Sequence, residues 1–435
     1  YFCPVVNGRP VDPVLTVFNL AQYRSTTTAG GASLPHVGLN WTPQPLAFWN
    51  QSALPEHVWS RDNLGSVFGT CLDDEGNIYV AQSSAYNVDL AGMGPLQARW
   101  PLEFMHGRIF RIANGTGAIS LFNQVPSPAW NRPDPTIANK NIANALRFRS
   151  YTSATAYTSY HDQRYPELGD VTFGRTNGQG YIYASNMEDG TIYKYSVSGG
   201  GMPLSAYRHG DEPDDERPGF APLGELIWAV QYHCERLYYS VWVEDLSRVN
   251  ATRNNEVWSV GVDPATGDLL PATRRCEVVS PILPFSWTSA GAPLLNGPGQ
   301  AGVVYGTSSP ISDISFSPEG RMMIAERGMG WDYTWVFCQA SADSLTGPLY
   351  NGAFTNHFPY HARIMEFEVV NGVWTLRSHT NPNKRIDVRF GVGGRAYVSN
   401  YHSNDRTGAG GVDYDFGPGE PNGELGRRVW ATVDY

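Results

Sequence analysis

The chain has 435 residues and a formal net charge of −10, with its lysines and arginines scattered rather than clustered. A basic stripe, the footprint of a nucleic-acid binder, is therefore missing, and no run of 18 or more apolar residues offers a membrane-spanning helix. Aromatics at 13%, 46 Gly and 31 Pro against 17% charged residues favour many short strands joined by tight turns, so one large all-β domain is expected.

Residues 1–60 read as an N-terminal segment. Within it, Val14 to Leu20 alternates and can supply a closing strand. Residues 61–435 read as a repeating domain. The first unit opens at Ser66-Val-Phe-Gly-Thr and returns at Ile78-Tyr-Val-Ala-Gln82. It continues through Arg108-Ile-Phe-Arg-Ile, an Asn114-Gly-Thr-Gly turn and Ala118-Ile-Ser-Leu-Phe. A polar, Pro-rich insertion follows, around residues 126–167. The second unit runs Asp170-Val-Thr-Phe-Gly, Tyr181-Ile-Tyr-Ala-Ser-Asn186, Thr191-Ile-Tyr-Lys-Tyr-Ser and Pro203-Leu-Ser-Ala-Tyr. The third runs Glu225-Leu-Ile-Trp-Ala, Leu237-Tyr-Tyr-Ser240, Glu256-Val-Trp-Ser-Val-Gly-Val and Leu269-Leu-Pro-Ala-Thr. The fourth runs Asp313-Ile-Ser-Phe-Ser, Met323-Ile-Ala-Glu326, Arg363-Ile-Met-Glu-Phe-Glu-Val and Val373-Trp-Thr-Leu. The fifth shows only Asp387-Val-Arg-Phe-Gly and Tyr397-Val-Ser-Asn400 before a Gly-rich stretch. Period-two alternation punctuated by Asn-Gly and Asp-x-x-x-Gly is a hairpin signal. Four such strands per unit, repeated, predict a β-propeller of four-stranded antiparallel blades: five recognisable units, in a ring of five or six. A solenoid or a β-sandwich is the competing architecture.

The strand pattern resembles extracellular NHL-repeat and gluconolactonase-like propellers. More closely, the runs Leu168-Gly-Asp-Val, Asn186-Met-Glu-Asp-Gly-Thr-Ile-Tyr, Phe220-Ala-Pro-Leu-Gly-Glu, Ile314-Ser-Phe-Ser-Pro-Glu-Gly-Arg-Met-Met-Ile-Ala-Glu-Arg-Gly and Gly410-Gly-Val-Asp-Tyr look like uncharacterised secreted bacterial surface propellers. The resemblance implies the fold far more than an activity, because propellers host unrelated functions.

In a propeller the start of each first strand and the end of each second strand lie on one face. That places Asp170, Glu225, Asp313 and Asp387 around one mouth, with Asn186, Glu326, Asn400 and Gln82 beside them; Ser66 breaks the ring. Converging carboxylate and amide oxygens are what Ca²⁺ prefers, so these residues are candidate metal ligands. The competing role is structural, with the acids accepting backbone hydrogen bonds between blades. Lactonase-like proteins hold a cation at this face, but their fuller catalytic pattern is not matched. No Gly-x-Ser-x-Gly elbow, His-Glu-x-x-His or P-loop is present. His357 and His361 flank a proline, and Asp413-Tyr-Asp415 does not fill the EF-hand positions.

Sequons stand at Asn40, Asn50, Asn114 and Asn250, the third in a hairpin turn where a glycan is easily carried. Few lysines and a first residue other than Met lead to the expectation of a secreted or cell-surface protein. Oxidised cysteines follow from that, with Cys234 and Cys276 the proposed bridge. The function expected is a non-catalytic binding, adhesion or assembly module for a protein or carbohydrate ligand, with self-association through an unclosed blade. The alternative is a divalent-cation-dependent, lactonase-like hydrolase or a sugar dehydrogenase at the acidic mouth.

Overall fold

The computed structural model describes residues 59, 64, 67–82, 107–126, 168–187, 189–199, 201–210, 221, 225–242, 255–280, 311–326, 363–377, 409–414 and 429–433. Among these the regular elements are strands, gathered into consecutive antiparallel sheets. The first sheet holds β1 (Val67–Leu72), β2 (Ile78–Gln82), β3 (Arg108–Ile112) and β4 (Ile119–Gln124). The second holds β5 (Leu168–Thr176), β6 (Gln179–Asn186), β7 (Thr191–Ser196) and β8 (Ser205–Arg208). The third holds β9 (Leu226–His233), β10 (Arg236–Trp242), β11 (Glu256–Val262) and β12 (Leu269–Val279). The fourth holds β13 (Ile311–Phe316), β14 (Met322–Glu326), β15 (Arg363–Val370) and β16 (Val373–Leu376), and β17 (Ala409–Tyr414) pairs with β18 (Val429–Val433). In each of the first four, the strands lie in chain order, as in a meander.

The turns account for these hairpins. Asn177 (φ 49°) with Gly178 (φ 76°), and Asn371 (φ 52°) with Gly372 (φ 79°), supply the paired left-handed residues of a two-residue hairpin. The β9–β10 turn uses Cys234 (φ 46°) and Glu235 (φ 60°) instead, a strain of about 1–2 kcal/mol per residue that the flanking strands overcome. The β3–β4 and β11–β12 turns are built alike. Gly117 N–H donates to Ala113 C=O at 2.9 Å, and Gly267 N–H donates to Asp263 C=O at 2.8 Å.

The first strands β1, β5, β9, β13 and β17 pack side by side in that order, and each sheet lays one face on the next. Tyr79, Ala81 and Ile109 of the first sheet meet Leu168, Val171, Ile182, Ala184 and Tyr195 of the second. Tyr181, Tyr183 and Tyr207 of the second meet Ile227, Val230, Leu237 and Val260 of the third. Ala229, Tyr238, Val257 and Val278 of the third meet Ile314, Phe316, Met322 and Ile324 of the fourth. Face-to-face four-stranded meanders whose first strands stand in sequence are the blades of a β-propeller. Each fully buried Ile, Leu or Tyr at these seams contributes about 1.5–3 kcal/mol. The outward face of the first blade, with Val67, Val80, Phe110 and Ile112, is covered by Trp59 and Leu64. Trp59 Nε1–H donates to Gly117 C=O at 2.9 Å, just as Tyr183 OH donates to Gly267 C=O at 2.7 Å across the next-but-one seam. Trp59 and Leu64 thus cover the face of the first blade that a preceding blade would cover.

Beside β13, on the side away from β9, the described strand is β17. Asp387 and Asn400 lie outside the described residues, as does the Val14 to Leu20 strand.

Candidate functional site at the propeller mouth

Every first strand carries a register shift near its start, opposite the end of its second strand. The shifts fall between Val67 and Gly69, Leu168 and Val171, Ile311 and Asp313, and Ala409 and Val412. In the third blade the shift lies opposite Tyr239 and Val241. Matching these bulges puts Gly69, Asp170, Ala229, Asp313 and Gly411 at one equivalent position, and Gln82, Asn186, Val241 and Glu326 at another.

Asp170 and Asp313 are thus true equivalents, and each closes its own bulge. Asp170 Oδ1 accepts Val171 N–H at 2.8 Å, and Asp313 Oδ1 accepts Ile314 N–H at 2.7 Å. Asp170 Oδ2 also accepts Val230 N–H of the next blade at 3.1 Å. Burial first, and then the charge of Asp313, raises the Asp170 carboxyl well above the usual carboxylate range, against the pull of the Val230 and Val171 amides. The two acids therefore feel each other across the mouth. The close approach needs Gly69, where a Cβ would lie 2.4 Å from Asp170 Cα.

The other predicted ligands sit elsewhere. Glu225 precedes β9 by one residue, and its carboxylate packs against Gly210 beyond the end of β8. The ring position in that blade belongs to Ala229. Glu326 is buried at the seam with the third blade, where it accepts a hydrogen bond from Ser280 Oγ. Asn186 is buried at the end of β6. Among the described residues no three His, Cys, Asp or Glu side chains come close enough together to hold a metal ion. Asp413 is exposed on β17, where its Oδ1 accepts Ser315 Oγ–H at 2.7 Å. His357 and His361 lie outside the described residues.

Sequence reasoning missed two serines and one acid at this face. Ser240 Oγ accepts Ala229 N–H at 2.9 Å and donates to Ile311 C=O of the fourth blade at 2.7 Å. Ser185 does the same between Asp170 N–H, at 3.0 Å, and Trp228 C=O. Each serine satisfies the bulge amide and staples two blades at once. Asp189 is buried in the β6–β7 turn, accepting Thr191 N–H at 2.9 Å and Tyr193 OH at 2.6 Å. Burial pushes its carboxyl up to about 7, against the lowering effect of its hydrogen bonds from Tyr193 and Thr191. A signal for the serines was present, because two second strands carry serine at the same place, in Tyr183-Ala184-Ser185 and Tyr238-Tyr239-Ser240.

Asn114 is exposed at the tip of the β3–β4 turn, where its side-chain amide donates to Glu75 C=O at 2.7 Å. Asn40, Asn50 and Asn250 lie outside the described residues. The expected Cys234–Cys276 bridge is not formed, and both thiols are free and exposed. Cys234 sits in the β9–β10 turn, whereas Cys276 is on the outermost strand opposite Trp258, two strands from β10.

No family model matches the chain, and no curated relative matches it. Solved structures that resemble it are propellers at very low identity. The Dos1 propeller is 9% identical over 60% of this chain and 42% of its own, with a TM-score of 0.27. A putative 6-phosphogluconolactonase from Bacteroides uniformis is 10% identical over 71% of this chain and 55% of its own, with a TM-score of 0.30. A PQQ-bound aldose sugar dehydrogenase from Streptomyces coelicolor is 12% identical over 80% and 71%, with a TM-score of 0.33. The chain thus spans 42% and 55% of the first two proteins' lengths. Likenesses this distant carry no argument about activity, and the propeller assignment stands on sheet order and blade packing.

Proposed function

We propose that this chain is a secreted or cell-surface β-propeller that serves as a binding, adhesion or assembly module for a protein or carbohydrate ligand. In this reading the mouth carboxylates maintain the ring, and recognition falls to the insertions between strands and to the outer turns. The observation that supports it is the repeated bond at the bulge: Asp170 and Asp313 each spend Oδ1 on the next backbone amide, and Asp170 spends Oδ2 on the neighbouring blade. An exposed Asn114 at an outer turn suits a glycan on the same molecule. The test is a glycan array with sedimentation of the intact protein. Saturable glycan binding or concentration-dependent association supports the reading; a monomer that binds no glycan and turns over a lactone or sugar overturns it.

The second reading, a divalent-cation-dependent hydrolase or sugar dehydrogenase, is favoured by the mutual influence of Asp170 and Asp313. A lactone and aldose panel with and without added Ca²⁺ decides it. Turnover that needs the ion and is lost in D313N supports this reading, and no turnover under either condition removes it.

A further inference from the structure

Several arginines among the described residues are paired with carboxylates. Arg175 lies 2.9 Å from Asp74, Arg275 lies 2.7 Å from Glu277, and Arg321 and Arg377 share Glu366. Arg274, half-buried on β12 at the seam between the second and third blades, has no carboxylate partner among the described residues. Two acids near it among the described residues are engaged elsewhere: Glu256 accepts Trp258 Nε1–H at 2.7 Å, and Glu277 accepts Ser259 Oγ and Arg275.

Arg274 is nonetheless held in place from two sides. Its Nη1 donates to His209 C=O, at the end of the second blade's outer strand, and its guanidinium lies over the Trp258 ring, 5.7 Å from the centroid. Both anchors are fixed in turn. His209 Nδ1 is 2.9 Å from Tyr239 OH, Tyr239 OH is 2.8 Å from Tyr207 OH, and the His209 and Trp258 rings meet edge to face at 4.9 Å. A guanidinium tied at Nη1 keeps its Nε–Nη2 edge for a second, bidentate partner. That edge matches the two oxygens of a carboxylate, sulfate or phosphate, and a preorganised fork loses little entropy on binding.

We propose that Arg274 is the anchor of an oxoanion-binding site at the seam of the second and third blades, taking the acidic group of a bound ligand such as a uronate or a sulfated sugar. The proposal rests on the binding-module reading only for the ligand's larger identity. The experiment titrates the intact protein with glucuronate, inorganic sulfate and inorganic phosphate at constant ionic strength, read by NMR and calorimetry. At least one should bind saturably, with a loss of about ten-fold or more in R274Q and also in R274K, which keeps the charge but not the fork. R175Q removes the same charge elsewhere and should bind as the wild type does. Circular dichroism of each variant separates lost binding from lost folding. Equal affinity in R274Q, or no saturable binding of any of the three below about 50 mM, where a charge-assisted fork still registers, overturns the proposal. Binding of neutral glycans alone would do so too, while leaving the binding-module reading in place.

Discussion

Replacing Ser240 by alanine should uncouple the third and fourth blades without disturbing shape. Ser240 is 1% exposed, and its hydroxyl joins Ala229 N–H at 2.9 Å to Ile311 C=O at 2.7 Å. Alanine removes one acceptor and one donor and leaves two buried backbone groups without them. At about 1–3 kcal/mol for each of the two buried groups left unsatisfied, the loss is about 2–6 kcal/mol. Unfolding entropy runs at about 2.1 cal/mol/K per residue, so a 435-residue chain that unfolds in one step loses about 1 °C of Tm per kcal/mol. Calorimetry should therefore register a fall of about 2–6 °C. Hydrogen exchange should quicken at Ala229. The first and fourth blades carry Ala81 and Ala325 at the equivalent place, so a serine there is not demanded by the strand itself. A change below about 0.5 kcal/mol, or exchange spread evenly over all blades, would refute the reasoning, because neither fits loss of an inter-blade staple.

Gly69→Ala places a methyl 2.4 Å from Asp170 Cα and 2.6 Å from Val171 N; chemical denaturation should show a loss of about 1–3 kcal/mol as the first two blades are wedged apart. Asp189 is 1% exposed and its carboxyl is raised to about 7 in the fold. Below about pH 4 both folded and unfolded chains hold that proton; as pH rises to 7 only the unfolded chain releases it, so stability should fall by up to about 1.4 kcal/mol per pH unit and then level off. D189N should flatten that segment of the stability profile, and an unchanged slope counts against the assignment. Alkylation followed by peptide mapping of the unreduced native protein should label Cys234 and Cys276, both exposed, well before Cys71, whose thiol is raised by burial and by Asp170 and Asp73; a Cys234–Cys276 cross-linked peptide would contradict the structure.

The hairpins were legible because local chemistry writes them. Alternation in Tyr181 to Asn186 and the Asn177-Gly178 turn suffice to place β5, β6 and their register. The bulge is a different matter, since it depends on which second-strand residue stands opposite. Glu225 looked like a ring member because an acid precedes an apolar run, yet pairing of Ile227 with Val241 and of Val230 with Tyr239 shifts the ring position to Ala229. Aligning Ser185 with Ser240 would have shown this from sequence. The inner strand beside β13 was hidden for a related reason: Gly410 and Gly411 read as loop, although a bulge beside a neighbouring backbone is where glycine serves a strand. Trp59 and Arg274 were beyond reach, because their partners Gly117 and His209 are fixed only by the meeting of separate elements.

The central claim is that the mouth acids of this propeller maintain the ring rather than hold an ion. The most direct measurement is an electron-density map of the intact protein crystallised in the presence of Ca²⁺, examined along the propeller axis with anomalous data. The prediction is Asp170 bonded to the amides of Val171 and Val230, Asp313 bonded to that of Ile314, and no anomalous peak between them. A calcium ion shared by Asp170 and Asp313, with their oxygens turned away from those amides, would contradict the claim.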